Sequence, residues 1–285
     1  MPRTAGKRGK RPAAPLPLLP IGAYLHEPLP APVYPVDVTG GIAPDTWQML
    51  GNGPDPSCTV RPDGVGDCTY ACRQHVRYAK AAAFGETETW ETANQLVKEY
   101  LKYDGGQDKG AVISSLLLAW YRARVILAFA PVDHTDRAQC DAAMAKFHGL
   151  YLGGDLTDDA DLRFENHEPW SVAAGQRPDP SEGHCFLRVK STGAGPAATS
   201  TNVTWGAEQE STAAWDRACI SEAYVLVTRE DELEPGELAA LRADIDALGG
   251  VGDEAAPKAA AGPGPLHEFA QLVSKAIDWL HAKGL

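Results

Sequence analysis

Three short fragments, far apart in the sequence, constrain this chain more than any other feature: Gly66-Asp67-Cys68, Gly183-His184 and Thr204-Trp205-Gly206. Cys68 ends a glycine-rich loop and begins a run with helical spacing, whereas His184 and Trp205 belong to strand-like runs. The first turn of a helix has free N–H groups and a partial positive charge, which can stabilise a thiolate. The pattern predicts a helix that bears a thiol nucleophile, beside strands that bear a histidine.

The histidine strand and the strand after it divide their side chains between two faces. Alternate residues of a strand share a face, so Asn202 and Thr204 are expected on one side of their strand and Trp205 on the other. We expect Asn202 or Thr204 to orient the His184 imidazole as a general base. Trp205 could shield that hydrogen bond from water and so strengthen it.

Apolar spacing and turn residues give the order of the other elements. Helices are predicted at 68–83, 90–102, 110–123 and 136–147. Strands are predicted at 125–130, 150–152, 184–189, 202–205 and 223–228, with a hairpin turn at 191–195. Because helices come first and antiparallel strands later, the fold class is α+β, with the cysteine helix packed on the sheet that bears the histidine.

The two ends of the chain differ from the middle. Residues 1–20 form a basic, proline-rich arm with two possible roles. It is either a flexible solubilising tail or an anchor that binds an anionic polymer or an acidic face of a neighbouring subunit. The body is expected at 21–230. Its first part, 21–47, should run in extended form around the back and leave the line from Cys68 to His184 accessible. An amphipathic helix is predicted at 231–250, a linker at 251–265, and a second amphipathic helix at 266–285 that docks on its own domain or on a partner.

Charge and composition exclude several classes of protein. The net charge is −12, although five positive charges lie within the first 12 residues, so nucleic acid is expected to bind at most weakly, through the arm. No apolar run is long enough to cross a bilayer, and prolines interrupt the one run that resembles a secretory signal. These features predict no membrane partner and a cytoplasmic or virion-associated protein. The six scattered cysteines are expected to be reduced for the most part.

Two further groups of polar residues have less specific patterns. Cys58, Cys68, Cys72 and His75 could supply four zinc ligands, but the spacing matches none of the usual fingers, so no metal or other cofactor is predicted. His75 lies seven residues along the helix from Cys68, about 10 Å along its axis, too far to act as its base. The acidic run 155–161 is expected to be a solvated loop.

The fragments also resemble a known family. Taken in order, they are similar to the papain-like cysteine peptidases, and closer to bacteriocin-processing-peptidase-like proteins of actinobacteria and their phages. The resemblance covers roughly residues 20–230. It rests on Met49-Leu50-Gly51-Asn52, Gly66-Asp67-Cys68-Thr69, Gly183-His184, Thr204-Trp205-Gly206 and Glu222-Ala223-Tyr224.

The resemblance implies a papain-like hydrolase that cleaves a peptide, such as a cell-wall peptide, through Cys68 and His184. The Cys68 amide and Asn52 would form the oxyanion hole, with Asp67 and Trp205 in support. In two places the chain departs from the pattern: Asn52 lies 16 positions before Cys68 rather than about six, and Val203 replaces the asparagine that orients the histidine. These departures favour an alternative, a catalytically silent virion protein that binds other virion subunits through residues 1–47 and 266–285.

If the hydrolase is active, Cys68 should react at a pH well below the usual thiol pKa of about 8.5.

Overall fold

The structure is a computed structural model, and residues 5–14, 16–173 and 176–248 are described. The predicted linker at 251–265 and the helix at 266–285 lie outside the described residues.

A single antiparallel sheet forms the centre of the described chain. Its strands follow the order β2-β7-β3-β4-β5-β6, and the short β1 pairs with β4. The strands are β1 (Val36–Asp37), β2 (Ala128–Pro131), β3 (Leu150–Asp155), β4 (Gly183–Ser191), β5 (Thr199–Thr204), β6 (Ala207–Thr212) and β7 (Ile220–Val227).

Helices precede most of the sheet in sequence, as the α+β prediction requires. They are α1 (Cys68–Ala83), α2 (Ala93–Tyr103), α3 (Ile113–Arg122), α4 (Arg137–Phe147), α5 (Ala160–Glu165), α6 (Ala213–Cys219) and α7 (Pro235–Ala247). The four predicted early helices and five predicted strands are found, with ends shifted by a few residues. Four elements were not predicted from the sequence because they are short or polar: β1, β6, α5 and α6.

β4 is the strand that positions the predicted histidine. Its residues are buried almost throughout, whereas a strand with one solvent-exposed face would alternate buried and exposed residues. On one side α1 packs against it. On the other side Phe186 contacts Trp170 and Trp215, with ring centroids 5.6 and 6.0 Å away. A strand covered on both faces holds its side chains rigidly, which suits a site that needs fixed geometry.

Residues 21–47, here called the wrapping segment, run across the surface away from Cys68. Several hydrogen bonds fix the segment to the body. Among them, His26 N donates to Glu237 Oε1 at 2.7 Å, Tyr24 Oη to Asp244 Oδ2 at 2.9 Å, and Tyr34 Oη to Asp141 Oδ2 at 2.9 Å. Ile21 is fully buried. The expected route around the body is therefore found.

The predicted helix at 231–250 corresponds to α7, which is part of the described body. Leu238, Leu241 and Ile245 are buried, and Arg242 Nε donates to the carbonyl of Leu127 at 3.1 Å, just before β2. All six cysteines are free and buried. In the described part of the chain, no helix is long and apolar enough to cross a bilayer.

Candidate active site

The loop before α1 brings Asn52 close to Cys68 despite the long spacing between them. Val65 N donates to the carbonyl of Gly51 at 2.9 Å, and Asn52 Nδ2 donates to the carbonyl of Val65 at 3.1 Å. The intervening residues loop out, with Asp55 N bound to the carbonyl of Pro62 at 3.0 Å. The inserted segment therefore does not remove Asn52 from the site.

Cys68 is the first residue of α1, as predicted, and is 1% exposed. At this position its amide has no acceptor within the helix, so the N–H is free to bind an oxygen. Asp67 precedes it and is fully buried. Burial, with a smaller contribution from Asp108, raises the pKa of the Asp67 carboxyl well above its usual range and favours its neutral form.

His184 lies on β4 and points toward Thr204, as the strand periodicity predicts. Its Nε2 lies 2.6 Å from Thr204 Oγ1. Its other ring nitrogen, Nδ1, is buried and has no hydrogen-bond partner among the described residues. Asn202 shares the face but not the contact: its amide binds Arg188 Nε at 3.2 Å and Ser211 Oγ at 2.9 Å. Of the two predicted orienting residues, Thr204 contacts the imidazole, whereas Asn202, two positions earlier on the strand, does not.

Trp205 covers the His184 ring, with centroids 4.6 Å apart and planes tilted by 33°. It was expected on the face opposite Thr204, and this expectation is wrong. Trp205 follows the end of β5 and has φ +47°, so the chain leaves the strand geometry and the indole turns back over the histidine. The shielding predicted for Trp205 is present, although it comes from the turn.

The Cys68 thiol lies close to the backbone of Cys185, the residue after His184. The backbone amides of Cys185 and Gly9 lie near the sulfur and by themselves lower the pKa of the Cys68 thiol. Burial is the larger effect, and it raises the pKa of the Cys68 thiol well above its usual range. Burial, with the nearby charge of Arg8, likewise holds the pKa of His184 well below its usual range. Both shifts disfavour the expected thiolate–imidazolium pair while the cleft is closed to water.

The burial arises from residues 5–11, here called the cleft segment, which cross the site directly over Cys68. Lys7 N donates to the carbonyl of Asn52 at 2.8 Å, and Asn52 Nδ2 donates to the carbonyl of Lys7 at 3.0 Å. Lys10 N donates to the carbonyl of Gly183 at 3.1 Å, immediately before His184. The expectation of an accessible line from Cys68 to His184 is wrong, because the arm rather than the wrapping segment covers it.

The acidic run 155–161, expected to be a solvated loop, is part of this contact. Asp155 ends β3 and its Oδ1 lies 3.0 Å from Lys10 Nζ, while Asp161 in α5 pairs with Arg8. The cleft segment was not predicted from the sequence to be part of the site. The feature that could have indicated it is the opposite charge of the two parts of the chain, a short basic arm that contains glycines and an acidic body.

The remaining histidine and cysteine candidates are structural. His75 is buried between Trp47 and Trp90, and its Nε2 lies 2.9 Å from the carbonyl of Gln48. Burial lowers the pKa of His75 to about 4. Within the described residues, no three His, Cys, Asp or Glu side chains are placed to hold a metal ion.

Comparison with known proteins identifies the architecture. No protein-family model and no curated protein sequence matches this chain. Among solved structures, it is similar to xylellain, a cysteine protease from Xylella fastidiosa, with a TM-score of 0.54 and 11% sequence identity. The match covers 81% of this chain and 98% of xylellain. Together with a cysteine helix packed on an antiparallel sheet that bears a histidine, this similarity shows that the chain has the fold of the papain-like cysteine proteases.

Proposed function

We propose that this protein is a cysteine peptidase-like hydrolase that cleaves a peptide or amide bond through Cys68 and His184. The observation that carries the proposal is the state of the imidazole. Thr204 fixes one of its nitrogens, Nε2, whereas Nδ1 has no hydrogen-bond partner among the described residues. The next residue along the strand, Cys185, has its backbone amide near the Cys68 sulfur. A buried polar atom without a partner is rare and calls for a functional explanation.

In the proposed reaction, Nδ1 of His184 takes the thiol proton and Sγ of Cys68 attacks the carbonyl carbon of the substrate. The oxyanion accepts hydrogen bonds from the Cys68 amide and Asn52 Nδ2. The imidazolium then gives its proton to the leaving amine, which departs and leaves a thioester. Water, deprotonated by His184, attacks the thioester and releases the acid and the free thiol.

Thr204 is the positioning residue for this histidine. Its hydroxyl accepts from Nε2–H, which leaves Nδ1 as the basic nitrogen. The tautomer is assigned from this contact. The position that corresponds to the family asparagine, Val203, is apolar and fully buried, so the hydroxyl one residue later takes over the orienting role. Trp205 keeps water from the hydrogen bond.

Asn52 is already bound to a peptide carbonyl, that of Lys7, which supports its assignment to the oxyanion hole. The thiolate–imidazolium pair can form only after the cleft segment leaves, because water must reach both groups to reverse their pKa shifts. The active form in this proposal is therefore the open one.

The silent virion scaffold is the second candidate function, and the occupied cleft with its buried thiol favours it. A phage or actinobacterial source and contacts with virion subunits or cell-wall peptide stay predictions from the sequence motifs.

The test uses a variant that displaces the cleft segment without changing the body. A Cβ on Gly9 would lie 1.6 Å from the carbonyl oxygen of Gly66, so Gly9→Ala cannot bind in the same place. Gly22→Ala is the matched control, because its Cβ would meet nothing within 4 Å. We expect Gly9→Ala to hydrolyse casein, and Cys68→Ala or His184→Ala in that background to abolish hydrolysis.

In the same background, Thr204→Val should lower kcat by roughly 10-fold and narrow the pH profile, because the histidine loses its orienting acceptor. If Gly9→Ala exposes Cys68 to iodoacetamide yet hydrolyses neither casein, nor small amides and esters, nor a peptide with the sequence of residues 6–11, the hydrolase proposal is wrong and the scaffold is supported.

A further inference from the structure

The backbone of the cleft segment is bound in a way that any peptide could reproduce. The amide of Ala111 donates to the carbonyl of Gly9 at 2.7 Å, and Arg11 N donates to the carbonyl of Ala111 at 2.8 Å. With the contacts to Asn52 and Gly183, the segment is held on both edges of the cleft. Main-chain pairing of this kind supplies affinity, whereas side-chain pockets supply selectivity.

The narrowest point of the cleft excludes every side chain. A Cβ on Gly9 would overlap the Gly66 carbonyl, and a Cβ on Gly110 would lie 2.3 Å from the carbonyl oxygen of Gly9. Gly66 could not carry one either, since it would lie 2.3 Å from the carbonyl oxygen of Arg8. The position directly over Cys68 therefore accepts glycine alone.

An acidic pocket lies on one side of this constriction and holds Arg8. The guanidinium pairs with Asp161, and its Nε lies 3.1 Å from Glu182 Oε2. It also lies 4.9 Å from the centre of the Trp205 ring, the indole that covers His184. A planar cation between two carboxylates and an aromatic face is specifically recognised.

A second acidic pocket lies on the other side and holds Lys10, whose side chain is fully buried. Its Nζ lies 3.0 Å from Asp155 Oδ1, 3.7 Å from Glu222 Oε1 and 2.8 Å from Ser221 Oγ. A buried carboxylate without a cation is strongly destabilised, so an empty pocket favours any peptide that brings a positive charge.

The cleft segment occupies the place where a substrate would bind. The Gly9 amide lies near the Cys68 sulfur, and the Gly9 carbonyl accepts a hydrogen bond from the amide of Ala111 at 2.7 Å. The segment therefore acts as a resident competitor for the site.

We propose that the cleft selects peptides in which one glycine is flanked on both sides by lysine or arginine. This inference rests on the proposed function for the cleavage step, although not for the binding. The pattern basic–glycine–basic is the same in both chain directions, so a substrate that runs opposite to the cleft segment meets the same two pockets and the same constriction.

The binding test uses the full chain with Gly9→Ala and Cys68→Ala together, which opens the cleft and prevents turnover. The probe is a fluorescein-labelled peptide of sequence Gly-Lys-Arg-Gly-Lys-Arg, measured by anisotropy. Replacing its central glycine by alanine should weaken binding by at least about 10-fold, and replacing the two flanking basic residues by glutamate by at least about 100-fold. Equal affinities within threefold would overturn the proposal.

Pocket variants assign the selectivity to the named carboxylates. Asp155→Asn with Glu222→Gln should abolish the preference for a basic residue on one side of the glycine and leave the other preference intact. The unmodified chain provides a second measurement, because the same peptide at high concentration should compete with the cleft segment and accelerate labelling of Cys68. If the peptide has no effect on labelling while glutamate peptides do, the assignment of the pockets is wrong.

The same peptides as substrates of Gly9→Ala separate the two proposals. If the protein distinguishes the peptides in binding but hydrolyses none of them, the selectivity proposal holds and the hydrolase proposal is wrong. Hydrolysis of casein with no discrimination among the peptides would retain the hydrolase and reject the selectivity.

Discussion

The cleft segment and the wrapping segment are close in sequence and both lack long regular structure, yet they are held by different forces. The cleft segment is held by ion pairs and by glycines that allow close backbone approach. The wrapping segment is held by buried apolar side chains such as Ile21 and by hydrogen bonds to α4 and α7. Salt can screen ion pairs and another charged peptide can replace them, whereas neither removes buried apolar contacts. The cleft segment can therefore leave its site, and the wrapping segment stays bound.

The largest expected effect is on the rate at which Cys68 is labelled, which should depend on the cleft segment and not on the wrapping segment. In Gly9→Ala, Cys68 should react with iodoacetamide roughly 100-fold faster at pH 7, because loss of about 3 kcal/mol of ionic and backbone contacts opens the cleft. Mass spectrometry of the labelled peptide measures the rate. Gly22→Ala should label like the unmodified chain. A rate unchanged in Gly9→Ala would mean that the cleft segment does not control access to the thiol.

The protein should respond to acid where the wrapping segment ends, because His75 packs against Trp47 and binds the carbonyl of the next residue, Gln48. The pKa of His75 is about 4 in the folded state and about 6.5 when unfolded. As pH falls from about 6.5 to 4, the unfolded state takes up a proton that the folded state does not. His75 therefore has no effect on stability above this window and lowers the free energy of unfolding by about 3 kcal/mol at its acid end.

His75→Gln retains a side-chain donor and removes the titration. Urea unfolding from pH 7 to 4 should show a shallower loss of stability in this variant than in the unmodified chain. Identical pH slopes in the two proteins would contradict the burial of a neutral His75.

The wrapping segment should otherwise control stability and not reactivity. Ile21→Ala removes a fully buried side chain and should lower the free energy of unfolding by about 3 kcal/mol. Leu19→Ala is the control, since Leu19 is 56% exposed. Labelling of Cys68 under native conditions should be unchanged in both. Faster labelling in Ile21→Ala would show that the two segments are coupled.

The smallest expected effect concerns the hydroxyl of Tyr24. This hydroxyl donates to Asp244 in α7 and accepts from the amide of Leu19, and Tyr24→Phe should lower the free energy of unfolding by about 1 kcal/mol. Urea unfolding measures this change, with labelling of Cys68 again unaffected. No loss of stability would indicate that solvent replaces these contacts.

Much of the fold was predictable from sequence because it depends on local periodicity. The start of α1 at Cys68 follows from a glycine loop before a helical run, and the shared face of His184 and Thr204 follows from the period of two along strands. The expectation for Trp205 failed at an exception to this period, because the chain turns back there through a positive φ. The period alone could not separate Asn202 from Thr204, which share a face; Asn202 binds Arg188 instead of His184.

The sequence by itself determined where the candidate nucleophile and base would lie, Cys68 at a helix start and His184 on a strand. It also determined that a basic arm precedes an acidic body. Only the tertiary structure decided that Arg8 and Lys10 lie in acidic pockets on the two sides of the thiol, more than 140 positions away in sequence from Asp155 and Asp161. Charge attraction carries no periodicity along the chain, so its partners become known only when distant strands and loops are brought together.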